Sequence, residues 1–173
     1  MKNGFLLIFC VWALASCGEE PPPTPAAARA AGLAEQTDNI VVGVSWMWSK
    51  ELDLMRQGIE LAAEEVNREG IDGRRLRLVW ADDGEEVERG LAVAAGFIDD
   101  PNIAAVIGHS TSSITLKTAP LYSEAGILLL APGATHPSLT GLGHPLVFRT
   151  IPSDADAGRQ LADRSEEHTS ELQ

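Results

Sequence analysis

Residues 104–107 (Ala-Ala-Val-Ile) and 127–130 (Ile-Leu-Leu-Leu) are two short, unbroken apolar runs, and together they set the strongest limit on how this chain can fold. Each is too short for a stable helix and lacks polar alternation, the pattern of a strand covered on both faces. Between them lie a hydroxyl cluster of Ser110, Thr111, Ser112 and Ser113, apolar residues at Ile114, Leu121 and Tyr122, and a closing Gly126. A strand, a helical crossover and a second strand run parallel. The first run ends in Gly108, His109 and the hydroxyls, and the second opens into Ala131, Pro132, Gly133, Ala134 and Thr135. Ligands of open α/β sheets bind beyond the carboxyl ends of strands, so these two loops are the expected binding region.

The rest of the chain repeats the alternation. Residues 40–44 are a nearly all β-branched strand, followed by a loop of Ser45, Trp46, Met47, Trp48 and Ser49. Met55, Ile59, Ala62, Ala63 and Val66 recur at helical spacing, and Gly70 is placed to end that helix. Residues 75–80 form a strand with Leu76, Leu78 and Trp80 on one face, and Asp82, Asp83 and Gly84 make the next loop. Val87, Leu91, Ala94, Ala95 and Ile98 are a second helical stripe. Residues 146–149 are one more short strand, and Pro152, Ser153 and Asp154 open a last helix. The expectation is an α/β fold, a mostly parallel sheet flanked by helices.

Both ends read differently. Residues 1–16 combine a basic head, an apolar run too short to span a bilayer and small residues at its exit, the features of an export signal. Cys17 follows Leu14-Ala15-Ser16 directly, which resembles a bacterial lipobox and implies cleavage before Cys17 and acylation of it. Residues 17–38 hold Pro21, Pro22, Pro23 and Pro25 and an alanine run. They are expected to be an extended, lipid-anchored tether that buries too little to order itself. Residues 164–173 match, in one frame, the translation of a common sequencing-library adapter. They are read as a foreign tail, which makes residues 39–163 a truncated lobe. Loss of Cys10 with the signal and acylation of Cys17 leave no cysteine to pair, so the lobe must hold by its core. With 13 basic and 25 acidic residues, the net charge is −12, which argues against nucleic acid as a partner.

Residues 40–45, 55–83, 104–113, 119–140 and 147–163 resemble the type I periplasmic binding proteins, in particular the leucine/isoleucine/valine-binding receptors of ABC importers. The resemblance implies two α/β lobes closing on a solute, of which this chain carries most of the first and so forms an incomplete fold. Together with the lipobox it implies an exported, lipid-anchored receptor whose ligand is an amino acid, branched-chain or otherwise apolar, or a related small polar solute, with ABC permease subunits as partners, no cofactor and no catalysis. The alternative is a sensory module of the same fold that reports a ligand without transport.

An amino-acid ligand needs N–H and O–H donors for its carboxylate and oxygen acceptors for its ammonium. Ser112 at a helix mouth offers the first, and the Gly133 carbonyl and Thr135 hydroxyl offer the second. By the resemblance these three align with the family's amino-acid contacts, where Gly133 is often alanine. Ser112 also suits a helix cap, and Thr135 a bond within its own turn. Trp46 and Trp48 occupy a loop that the family usually makes longer and glycine-containing. They read either as an aromatic wall for an apolar ligand or as packing within the lobe. Asp82 and Asp83 suit a structural role better than a cation site, and His109 reads as a loop histidine, since no second ligand stands at zinc spacing. His136 and His144 each precede proline and are read as loop residues. No dinucleotide fingerprint, P-loop or G-x-S-x-G elbow is present.

Overall fold

In the computed structural model, residues 21–48 and 54–170 are described, the last five of these as backbone only. Five parallel strands alternate with helices: α1 (Pro25–Glu35), β1 (Asn39–Trp46), α2 (Leu54–Glu69), β2 (Arg75–Asp82), α3 (Val87–Asp99), β3 (Ile103–Ile107), α4 (Ser112–Ala125), β4 (Leu128–Ala131), α5 (Ser138–Gly141), β5 (Val147–Arg149) and α6 (Asp154–Ser170). The sheet order is β2-β1-β3-β4-β5. The two apolar runs pair in register, Ala105 with Leu128 and Ile107 with Leu130, as the strand–helix–strand reading requires. The chain reverses its direction of travel across the sheet between β1 and β3, which lie side by side.

The inward residues of one sheet face, Val41, Val106, Leu129, Ala131 and Val147, join Ala94 and Phe97 of α3 and Ala119, Tyr122 and Ala125 of α4 in one core. α3 and α4 approach closely: a Cβ on Gly90 would stand 2.2 Å from the Ile114 side chain, so glycine there sets how near α4 can lie. α4 begins at Thr111, whose hydroxyl accepts from the Ile114 N–H at 3.4 Å. It ends at Gly126 in the left-handed region, φ 75°, a conformation that costs a side chain energy. The opposite sheet face is covered by α2. Ile59, Ala62, Ala63 and Val66 line an apolar gap of about 140 Å3 with Val42, Leu76, Leu78 and Ile107. Farther along that face Phe148 of β5 is half exposed.

The extended tether expected over residues 17–38 is corrected by α1. Thr24 caps the helix, its hydroxyl accepting from the Ala27 N–H at 3.2 Å, and Pro25 stands at the first helical position. Proline is tolerated there because that N–H has no helical partner, and the alanines that follow are the strongest helix formers. α1 is also docked. Arg29 donates to the carbonyls of Ala125 (2.9 Å), Asp100 (2.8 Å), Ile103 (3.1 Å) and Ile98. One guanidinium thus satisfies chain ends left by α3 and α4. The signal at residues 1–16 and Cys17 lie outside the described residues. The segment read as a foreign tail continues α6 as far as Ser170.

Candidate functional site

Three strand tips converge at the carboxyl edge of the sheet. β3 delivers residues 108–111 into the start of α4, β4 delivers residues 132–136, and β1 delivers Trp46. Parallel pairing of β1 with β3 and of β3 with β4 forces these loops to be neighbours. Ser112 occupies the first turn of α4, with Thr111 rather than Ser112 as the cap. The Ser112 hydroxyl instead accepts from the His136 N–H at 3.3 Å, which joins the two loops. A helix start leaves its first N–H groups without partners inside the helix, and these flank the Ser112 hydroxyl. The Thr135 carbonyl accepts from the Asp154 N–H at 2.9 Å and ties this loop to the start of α6. The Thr135 hydroxyl forms no hydrogen bond among the described residues.

The structure separates the two tryptophans. The Trp46 ring lies on Gly133: a Cβ there would stand 2.7 Å from Trp46 Cη2 and 3.0 Å from the Ser110 carbonyl oxygen. Trp46 is therefore at the mouth with Ser112, Gly133 and Thr135. Trp48 is not brought to them. Its indole N–H donates to the Ala81 carbonyl at 2.6 Å, and its ring meets Trp80 edge to face at 5.0 Å. The Arg56 guanidinium lies 4.7 Å from the Trp80 ring centroid and 5.7 Å from that of Trp48. Trp48 thus packs the edge of the sheet, where indole and guanidinium faces attract.

A buried polar network lies directly beneath the mouth. Asp83, Ser45, His109 and Tyr122 are fully buried. Asp83 Oδ2 accepts from Ser45 Oγ (3.1 Å), the Ser110 N–H (3.0 Å) and His109 Nδ1 (3.1 Å), while Oδ1 accepts from Ser110 Oγ and from the Glu85 N–H at 3.2 Å. His109 Nε2 stands 3.0 Å from the Tyr122 hydroxyl, and the two rings stack at 5.9 Å. A proton on Nδ1, donated to Asp83, and a phenol proton donated to Nε2 give every atom a partner. Burial alone would raise the Asp83 carboxyl, but hydrogen bonds from His109, Ser110 and Glu85 outweigh it and hold it well below the usual carboxylate range. Burial, helped by the Asp83 charge, pushes the Tyr122 phenol well above its ordinary value.

The sequence reading placed His109 in a loop, and missed that its side chain is fully buried. The available signal was Tyr122, the chain's single tyrosine, which falls on the inner face of α4. The acidic pair divides: Asp82 pairs with Arg89 Nη2 at 3.0 Å, while Asp83 turns inward. The two carboxylates therefore do not face one cation.

Comparison with known proteins agrees with this architecture. A family model described as periplasmic binding protein matches residues 49–170. A Leu/Ile/Val-binding protein of Escherichia coli is 38% identical over 132 residues, 75% of this chain and 36% of that protein. An amino acid binding protein of Pseudomonas aeruginosa is 39% identical over 103 residues, 59% of this chain and 28% of that protein. Among solved structures, an ABC transporter substrate-binding protein from Desulfitobacterium hafniense in complex with Leu superposes with TM-score 0.72 at 45% identity, covering 76% of this chain and 39% of that one. The chain thus spans between 28% and 39% of the length of these relatives.

Proposed function

This chain belongs to the periplasmic binding protein family, and from that premise we propose that it forms one jaw of a receptor that captures an amino acid, branched-chain or otherwise apolar, for an ABC importer. The observation that carries the reading is the convergence of Ser112, Gly133 and Thr135 at neighbouring strand tips, joined by the His136 N–H on the Ser112 hydroxyl. In this reading the Ser112 hydroxyl and the first N–H groups of α4 hold the ligand carboxylate, where the helix dipole favours negative charge. The Gly133 carbonyl and the Thr135 hydroxyl accept from its ammonium group. Trp46 presents an apolar wall to the side chain. No bond of the ligand is made or broken. Binding draws a second lobe over the first, and the closed form is what a permease would engage. Cys17 would hold the receptor at the cell envelope through its lipid.

Relatives named for leucine, isoleucine and valine support the ligand class. The test is calorimetric titration of the full-length receptor with the twenty amino acids. Saturable heat with leucine, isoleucine or valine is expected, and silence with all twenty would refute the reading.

A further inference from the structure

Beneath the mouth sits an ionised carboxylate with no solvent contact and no role in holding the ligand itself. This is Asp83, just past the end of β2, and its partners come from three separate strand tips: Ser45 from β1, Glu85 from the loop after β2, and His109 and Ser110 from the loop after β3. Among the described residues the Ser110 N–H and hydroxyl bond only to the Asp83 carboxylate, so Asp83 pins the start of this loop, while the His136 N–H on the Ser112 hydroxyl ties it farther along. Two residues later the same loop presents Ser112. We infer that Asp83, itself braced by His109 and Tyr122, is a positioning residue that fixes the ligand-facing loop of residues 110–113 in its binding geometry before any ligand arrives. The inference deepens the amino-acid reading given above and rests on it for its consequence in affinity, though not for its consequence in loop order.

The geometry gives each member a distinct part. Tyr122 donates to His109 Nε2, which leaves Nδ1–H directed at Asp83, so rotation of the imidazole is blocked from both sides. The His109 N–H also donates to Thr115 Oγ1 at 3.3 Å, and Thr115 donates to the Thr111 carbonyl at 2.7 Å, which extends the brace into the first turn of α4. A loop held in its bound form avoids an ordering cost when ligand binds.

The test has two arms. Amide hydrogen exchange is read on the 173-residue chain, comparing wild type with Ser110→Ala, Ser110→Thr and Asp83→Asn. Hydrogen bonds to a buried charge are among the stronger kind, so loss of one is expected to speed exchange at residues 110–113 by about tenfold or more. The strands β3 and β4 should keep their protection. Ser110→Thr keeps the hydroxyl and should restore wild-type rates. Unchanged exchange at residues 110–113, or an equal rise across β3, β4 and α4, would overturn the inference. If Asp83→Asn does not fold, Tyr122→Phe keeps the ring and removes only the hydroxyl, and it should raise exchange at residues 110–113 about threefold, with no change counting against the brace. In the second arm, L-leucine is titrated into the full-length receptor. Ser110→Ala should weaken Kd about tenfold, and an unchanged Kd alongside faster loop exchange would show that loop order does not govern affinity and overturn that part. Should wild type bind none of the twenty amino acids, the ligand reading fails, and the exchange arm still decides the positioning role.

Discussion

Replacing Gly133 by alanine adds one carbon where the structure has no room for it. That carbon would stand 2.7 Å from Trp46 Cη2, 3.0 Å from Trp46 Cζ3 and 3.0 Å from the Ser110 carbonyl oxygen. Carbon atoms rest about 3.5–4.0 Å apart, so the ring must retreat by roughly 1 Å. The Gly133 backbone lies outside the positive-φ region, so alanine adds no backbone strain, and the effect comes mainly from the Trp46 ring, with a smaller share from the Ser110 carbonyl. Forcing a methyl into a packed contact costs about 1–3 kcal/mol. For a domain of this size that is roughly 2–4 °C in Tm for each kcal/mol. The assay is urea denaturation followed by tryptophan emission. Gly133→Ala should lower the midpoint and shift the native emission to the red as the Trp46 ring is levered toward water. Trp46→Leu removes the obstruction, so Gly133→Ala should cost much less in that background, and the difference measures the contact. Equal costs with and without the Trp46 ring would refute the proposed contact, and with it the claim that this ring stands at the mouth.

Asp83 makes a prediction in acid. Its carboxyl lies below the usual range in the folded state and near 3.9 when unfolded, so its stabilising contribution is complete above about pH 4 and is lost as pH falls from there toward the folded value. Between pH 5 and pH 2.5 wild-type Tm should fall more steeply than that of Asp83→Asn, and equal slopes would contradict this. Arg29→Met should free α1: limited proteolysis is expected to cut within residues 25–35 many times faster than in wild type, and an unchanged cleavage pattern would mean that its four carbonyl contacts do not hold the helix. Cys17→Ala should move the exported receptor from the membrane fraction to the soluble one and abolish labelling by palmitate, and persistent labelling would place the lipid elsewhere. The 173-residue chain alone should show no leucine binding at micromolar concentrations, because each decade of affinity lost with the second lobe's contacts is about 1.4 kcal/mol, and a micromolar Kd would contradict the two-jaw reading.

The strands and their parallel sense were legible because the apolar runs are short and continuous and the stripes between them keep helical spacing. Ser112, Gly133 and Thr135 were legible as neighbours, since two strands joined by one crossover must place their carboxyl-end loops side by side. The tryptophans were not separable. Trp46 and Trp48 differ by two residues at the end of a strand, and only tertiary contacts, Gly133 for one and Trp80 for the other, decide where each ring turns. Nor was the Asp83–His109–Tyr122 network visible, because its members come from three elements and carry no common spacing. α1 was misread because prolines were weighed as a run. Pro25 acts alone at a helix start, and the docking that holds the helix comes from carbonyls at residues 98–125, which no local window contains.

The docking of α1 also decides the polarity of the molecule. Arg29 grips the ends of α3 and α4 and the beginning of β3, all of which lie at the pole where the strands start. Trp46, Ser112 and Thr135 lie at the pole where they finish. The start of α1, where Ala26 lies against Gly126, therefore sits at the floor of the lobe, a full strand length below the rim. In the receptor proposed above, a tether joined to that helix would start at the pole away from the solute's entrance.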